Sequence, residues 1–367
     1  SIVRDLQGRK MSKSLGNSPD PLDLIAKYGA DGLRFGLMRI APTGTDVKFD
    51  EKQIEEGKNF ANKLYNAARF RMMQGAAGTE PAPKFTAIHI DILSKLKELH
   101  ATVAEGLSKY EFNTYTQALY SFFWNEYCSL FLEAVKNDLR DGDAAVKNAT
   151  LYTIDTVLRH YLALLSPIMP HIAEELWQSL GFAAKYDGKP LMITELPSAD
   201  SLLAGLSEME ISKARATATA LYETANRARN LKAEYNLATN KKVRFVLKPG
   251  ALPLNDDLMN RLALLAGSQS ATMDAAYEAP KGTPTALTPF GELFLPLDGL
   301  VDVDAERSRI TKELEKITKE IVKSNAKLSN ASFVDRAPAS VVDQERARLT
   351  EWEGKKAQLE SMLAALS

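Results

Sequence analysis

The sequence is nearly free of cysteine and carries no excess of charge. Its one cysteine, Cys128, excludes an internal disulfide, and no Cys or His pair stands at zinc-site spacing, so no metal site is predicted. So little cysteine points to a reducing, cytoplasmic setting. Lys+Arg 46 against Asp+Glu 47 leaves a net charge of -1, which excludes a general positive field. Any nucleic-acid binding must then come from local basic patches. No uncharged apolar run approaches the length of about 18 residues that a membrane span needs, and the opening Ser1-Ile2-Val3-Arg4-Asp5 is neither an initiator methionine nor a secretion signal. No membrane partner is expected, and the chain is expected to begin in mid-protein. What is present, 45% hydrophobic and 25% charged residues over 367 positions, builds two or three domains with ample core.

The densest polar signal is Gly8-Arg9-Lys10-Met11-Ser12-Lys13-Ser14-Leu15-Gly16-Asn17. Two lysines three apart, with hydroxyls between and after them and glycines on either side, describe a loop that can fold ammonium and hydroxyl groups around a polyphosphate. Taken alone, the same residues also fit a solvated basic turn.

These residues resemble the signature loop of class I aminoacyl-tRNA synthetases. The following Asp20-Pro21-Leu22-Asp23-Leu24-Ile25-Ala26-Lys27-Tyr28-Gly29-Ala30-Asp31 resembles its continuation in the valyl, isoleucyl and leucyl subgroup. The resemblance implies that Lys10, Met11, Ser12, Lys13 and Ser14 bind ATP, with Mg2+, in a complete enzyme. Lys13 first and Lys10 second would stabilise charge building on the departing pyrophosphate. Of the four histidines, none stands in the His-x-Gly-His arrangement of a class I catalytic domain. The nucleotide sheet, amino-acid pocket and editing domain are therefore expected to lie outside this chain, which alone should hold no cofactor and be inactive.

Along the chain, Pro21 to Tyr28 reads as a helix with Asp20 as N-cap and Gly29 as its stop, and Asp31 to Ile40 as another. From Asp50 the pattern is helical. Asp50 and Gln53 form a capping-box pair, and Phe60, Leu64, Ala67 and Ala68 make a buried stripe. The other faces carry Lys58, Asn59, Asn62, Lys63, Asn66, Arg69 and Arg71. Asn and Arg forks suit base edges and phosphates, and Phe70 can stack on an unpaired base. By the resemblance, Lys63, Asn66, Arg69 and Phe70 are the expected anticodon contacts. Further helices are predicted near 88–109, 112–139 and 143–165. Within them the run Phe123-Trp124-Asn125-Glu126-Tyr127-Cys128 resembles the valyl bundle and reads as core, because Leu119, Phe122, Phe123, Glu126 and Leu130 keep helical spacing with no convergent polar group. Ser166-Pro167-Ile168-Met169-Pro170-His171 is a corner, with His171 a capping or packing residue.

A helix near 203–233 carries Lys213, Arg215, Arg227, Arg229 and Lys232, strands are expected at 241–247 and 291–297, and a short helix at 255–266. At the end, Ile310, Leu314, Ile317, Ile321 and Leu328, then Leu349, Trp352, Leu359 and Leu363, repeat at helical spacing around a break at Asn330 to Pro338. This predicts an antiparallel coiled-coil hairpin and resembles the terminal arm of valyl-tRNA synthetases, which lies against bound tRNA. Lys316 and Lys323 on the arm, with Arg227 and Arg229 before it, are the expected tRNA-backbone contacts.

The fold class that follows is mainly α. Residues 1–50 are the end of a catalytic domain with the lysine loop, 51–198 an anticodon-binding helical bundle, 199–300 a small α/β junction and 301–367 a coiled-coil arm. The expected function is that of a C-terminal part of a monomeric aminoacyl-tRNA ligase of the valine type, with valine tRNA as partner and ATP and valine as substrates of the complete enzyme. An isoleucyl or leucyl fragment, or a non-catalytic helical scaffold with a protein-binding coiled coil, are the alternatives.

Overall fold

A computed structural model describes residues 2–41, 44–75, 84–140, 142–235, 237, 242–280, 283–297, 303–330 and 338–365. The chain is mainly α and divides into two compact units, 1–219 and 220–367. Among the described residues no helix is long and apolar enough to cross a membrane.

In the first unit β1 (Val3–Arg4) pairs in parallel with β2 (Val47–Lys48), and the lysine loop lies between them in sequence. Helix α1 (Pro21–Tyr28) starts at an Asp20 cap on Leu22 N–H and stops at Gly29, and α2 (Ala30–Arg39) follows at once. Helix α3 (Glu51–Met72) crosses α2 very closely: a Cβ added at Gly57 would sit 2.4 Å from the Gly32 carbonyl oxygen, so only glycine permits this approach. Asp50 caps α3 through Lys52 N–H, but the expected capping box is incomplete. Gln53 Oε1 is instead buried without a hydrogen bond.

The stripe of Phe60, Leu64, Ala67 and Ala68 is buried as its spacing predicts. It packs in a bundle with α4 (Ala87–Ser108), α5 (Phe112–Ser121), α6 (Leu132–Ala134), α7 (Lys136–Arg140), α8 (Ala144–Leu165) and α9 (Pro170–Ser179). The one helix expected over 112–139 is interrupted: Phe122–Phe131 winds as a π-helix, which aromatic content and spacing do not reveal.

At the proline corner the His171 ring is exposed, so it neither caps nor packs. The cap comes from α2, where the buried Asp31 accepts from His171 N–H at 3.3 Å and Ile172 N–H at 2.6 Å. One turn on, Arg34 donates to the carbonyls of Ile168 and Pro167, both at 2.9 Å. Helix α2 thus satisfies both the start of α9 and the bend before it.

Helix α10 (Glu208–Glu234) runs across the division at 219 and 220. The second unit has a four-stranded sheet in the order β4-β3-β6-β5, from β3 (Arg244–Pro249), β4 (Ser270–Met273), β5 (Thr285–Thr288) and β6 (Gly291–Phe294). β3 and β4 are parallel around α11 (Asp256–Leu265), whereas β5 and β6 form an antiparallel hairpin. Strands β4 and β5 are short and were not legible in the sequence. Two long helices, α12 (Val303–Leu328) and α13 (Ala339–Ala365), complete this unit. Ser324 donates to Glu345 at 2.8 Å while Lys355 meets Glu313 at 3.7 Å, so residue numbers rise on one helix as they fall on the other and the pair is antiparallel. Ile310, Ile317, Val342 and Leu359 are buried in their seam. The break between them falls mostly at 331–337, outside the described residues.

Candidate functional site

The lysine loop has little buried surface, so polar contacts must give it shape. Met11 N–H bonds Val3 C=O at 3.1 Å, anchoring one limb to β1. Lys13–Leu15 then makes a 3-10 turn that Ser12 caps through Leu15 N–H, and Gly16 closes it at φ 61. Asn17 joins the limbs: its Oδ1 accepts from Ser12 N–H at 2.9 Å while its Nδ2 donates to Asp5 Oδ2 at 3.0 Å and Lys10 C=O at 3.3 Å. Asp5 also takes the backbone and side-chain N–H groups of Arg9, at 2.8 and 2.7 Å. The Asn17 hydrogen bond first, and the Arg9 contacts after it, hold the Asp5 carboxyl down to about 2. Sequence reasoning passed over Asp5 and Asn17, although an asparagine ending a Lys/Ser/Gly loop offers both the donor and the acceptor such a staple needs.

With the loop held this way, Lys10 and Lys13 are exposed, and among the described residues neither ammonium is paired with a carboxylate. Ser12 and Ser14 hydroxyls lie 3.1 Å apart and Met11 is half-buried. Asp5, an acidic group in the loop's own framework, is spent on Asn17 and Arg9. This leaves a cationic turn with free donors, a fit for phosphate and a poor one for a cation. Among the described residues no group of three or more His, Cys, Asp or Glu could hold a metal ion.

On α3 the four expected nucleic-acid contacts share one helix but differ in exposure. Asn66 and Arg69 are exposed, and Lys63 and Phe70 are half-buried. Arg71, expected on the same open face, is buried and forms a two-pronged bridge with Asp155 at 2.6 and 2.8 Å, so it holds the bundle together instead. The expectation that nothing polar converges on the aromatic run also fails. Lys63 lies 5.1 Å over the Trp124 ring and Arg39 4.1 Å over Tyr120. Trp124 itself is half-buried, and Glu126 bonds Lys95 at 2.8 Å.

In the second unit Arg229 is only partly available, because its Nε donates to Leu265 C=O at 2.7 Å. Lys232 is buried and donates to Gly267 C=O at 2.7 Å, so this pair closes the end of α11 by supplying positive charge to its last carbonyls. Arg227 is exposed and 4.0 Å from Glu223. On α12 Lys316 and Lys323 are exposed and seven residues apart, hence on one side, with Lys323 bonded to Glu320 at 2.7 Å.

Three family models match the chain in sequence order. One described as "tRNA synthetases class I (I, L, M and V)" covers residues 1–50, one described as "Anticodon-binding domain of tRNA ligase" covers 90–247, and one described as "Valyl tRNA synthetase tRNA binding arm" covers 302–367. Among curated proteins, the valine–tRNA ligase of Nitratidesulfovibrio vulgaris is 39% identical over 99% of this chain, and that of Geobacter sulfurreducens 37% identical over 97%. The Bacillus subtilis valine–tRNA ligase is 32% identical over the whole chain. The chain spans 40 to 41% of the length of these relatives.

Proposed function

The chain belongs to the valyl-tRNA synthetase family, and from that premise we propose that it is the tRNA-holding part of an enzyme that activates valine with ATP and transfers it to valine tRNA. One observation carries this reading. The lysine loop, the bundle and the antiparallel helical pair follow one another in the order of the three family models, and the loop presents two cations that pair with no carboxylate among the described residues.

In this reading Lys13, seconded by Lys10, binds the ATP phosphates and stabilises the charge that develops on pyrophosphate as the valine carboxylate attacks. Ser12 and Ser14 offer hydroxyls to phosphate oxygens, and Met11 seats the turn. Mg2+ would accompany the nucleotide and offset the charge of its phosphates. The bundle reads the anticodon through Lys63, Asn66, Arg69 and Phe70, and the backbone is held by Arg227, Lys316 and Lys323, with Arg229 a weaker contributor because it also closes α11. The arm acts as a coiled coil against the tRNA. The functional partition is 1–50 for the loop, 51–198 for the bundle, 199–300 for the junction and 301–367 for the arm, in a monomeric cytoplasmic enzyme.

The test is a titration of the purified chain with valine tRNA and isoleucine tRNA over a range of salt. Valine tRNA is expected to bind more tightly, with an affinity that falls steeply as salt rises. Equal, salt-insensitive binding of both would contradict the proposal.

A further inference from the structure

Tyr120 and Trp124 stack with ring centroids 5.5 Å apart and planes 15° from parallel. The inner ring is rooted in the core: Tyr120 lies 5.3 Å from Phe60 and 6.4 Å from Phe35, both fully buried. The outer ring, Trp124, sits within the π-wound segment and is half-buried. A cation lies over each ring, Arg39 over Tyr120 at 4.1 Å and Lys63 over Trp124 at 5.1 Å.

The two cations are not equivalent. Arg39 is fixed by hydrogen bonds to Gln117 at 3.0 Å and to Glu56. Among the described residues Lys63 has no carboxylate partner, and the indole is the one ring it covers. A lysine over an indole in water is a weaker contact than a nucleobase stacked on the same ring, and every base has a face to offer. A base arriving at Trp124 therefore displaces Lys63 favourably. The released ammonium then lies within reach of that nucleotide's own phosphate, so the exchange leaves no charge stranded.

We propose that Trp124 is a stacking platform for one unpaired base of the bound tRNA, and that Lys63 covers the platform in the free chain and moves to a phosphate when the base arrives. This rests on the tRNA-binding reading above and assigns one contact within it. The π-winding has a part in this, because it carries Trp124 on the same element as the buried Phe123 and Tyr127 and so gives the platform a rigid mount.

The chain has three tryptophans, of which Trp177 is fully buried and Trp352 lies on the arm. In a Trp352→Phe background, Trp124 is the indole positioned to sense a ligand. Valine tRNA is titrated into this variant while filter retention scores binding in the same samples. Trp124 emission is expected to fall and to saturate where retention saturates. Trp124→Ala should weaken binding roughly 5- to 100-fold at every salt concentration without changing the salt slope. Trp124→Phe, which keeps a ring and the fold, should retain most of the affinity. Lys63→Gln should lower the slope of log affinity against log salt by about one phosphate contact. Retention without any change in Trp124 emission would overturn the platform while leaving tRNA binding intact. An unchanged slope in Lys63→Gln would overturn the displacement, and no retention by the unmodified chain would overturn both this proposal and the reading beneath it.

Discussion

In the loop at Gly8 to Asn17, Lys10 and Lys13 stand in solvent with no acidic partner among the described residues, and the backbone beneath them is held by Asn17 and Asp5. Along α12, Arg309, Lys323 and Lys327 each face a glutamate, at 2.9, 2.7 and 3.4 Å. The same kinds of side chain are thus left available in one region and occupied in the other. An exposed pair contributes little, about 0–1 kcal/mol, so occupation on the arm is cheap to undo. An unpaired cation in water costs the fold nothing, so the loop can keep its charges free. Between these extremes lies the bundle, where Arg71 is both paired and buried.

The largest effect is expected where pairing and burial coincide. Arg71→Ala should cost about 3–5 kcal/mol in urea unfolding, because it strands the Asp155 carboxylate near the interior. A loss below about 1 kcal/mol would place Arg71 with the surface pairs of the arm. Next comes Lys13→Ala in the complete enzyme, which should slow valine activation by the equivalent of about 2–4 kcal/mol while leaving valine affinity and the chain's unfolding midpoint unchanged. A loss confined to valine affinity would remove Lys13 from its assigned role.

Asn17→Ala addresses the staple. Since the Asp5 carboxyl lies at about 2, below its ordinary 3.8, its contribution is in full force above 3.8 and fades as pH falls toward 2. Removing Asn17, the first cause of that depression, should raise the value toward 3.8, as read from the carboxyl carbon shift in an NMR titration. An unmoved value would mean that Arg9 alone sets it. The smallest effect belongs to the arm: Lys323→Ala should change thermal stability by no more than about 0.5 kcal/mol.

The same contrast explains what was legible. Helix starts at Asp20 and Asn255, the buried stripe of α3 and the paired helices at the end all follow from residue type and period, because capping and amphipathic burial are local. The roles of Arg71, Lys232 and Asp31 were not legible. Each depends on a partner 34 to 141 residues away, and a basic residue on a helix carries no mark of whether it meets a carboxylate, a carbonyl or water. Trp124 was missed for a related reason, since an aromatic run looks like core until its outermost ring is seen under a lysine. The lysine loop was legible as an exposed cationic turn but not in its geometry, because its staple reaches back to Asp5, outside the loop itself.

We propose that this chain recognises valine tRNA through its helical bundle while basic surfaces hold the backbone. The most direct measurement compares its affinity for valine tRNA with that for the same tRNA bearing a swapped anticodon, at one fixed salt concentration. A loss on swapping of about 1–3 kcal/mol per altered base contact is expected, reduced when Arg69 is replaced by alanine. Equal affinity for the two tRNAs would contradict it.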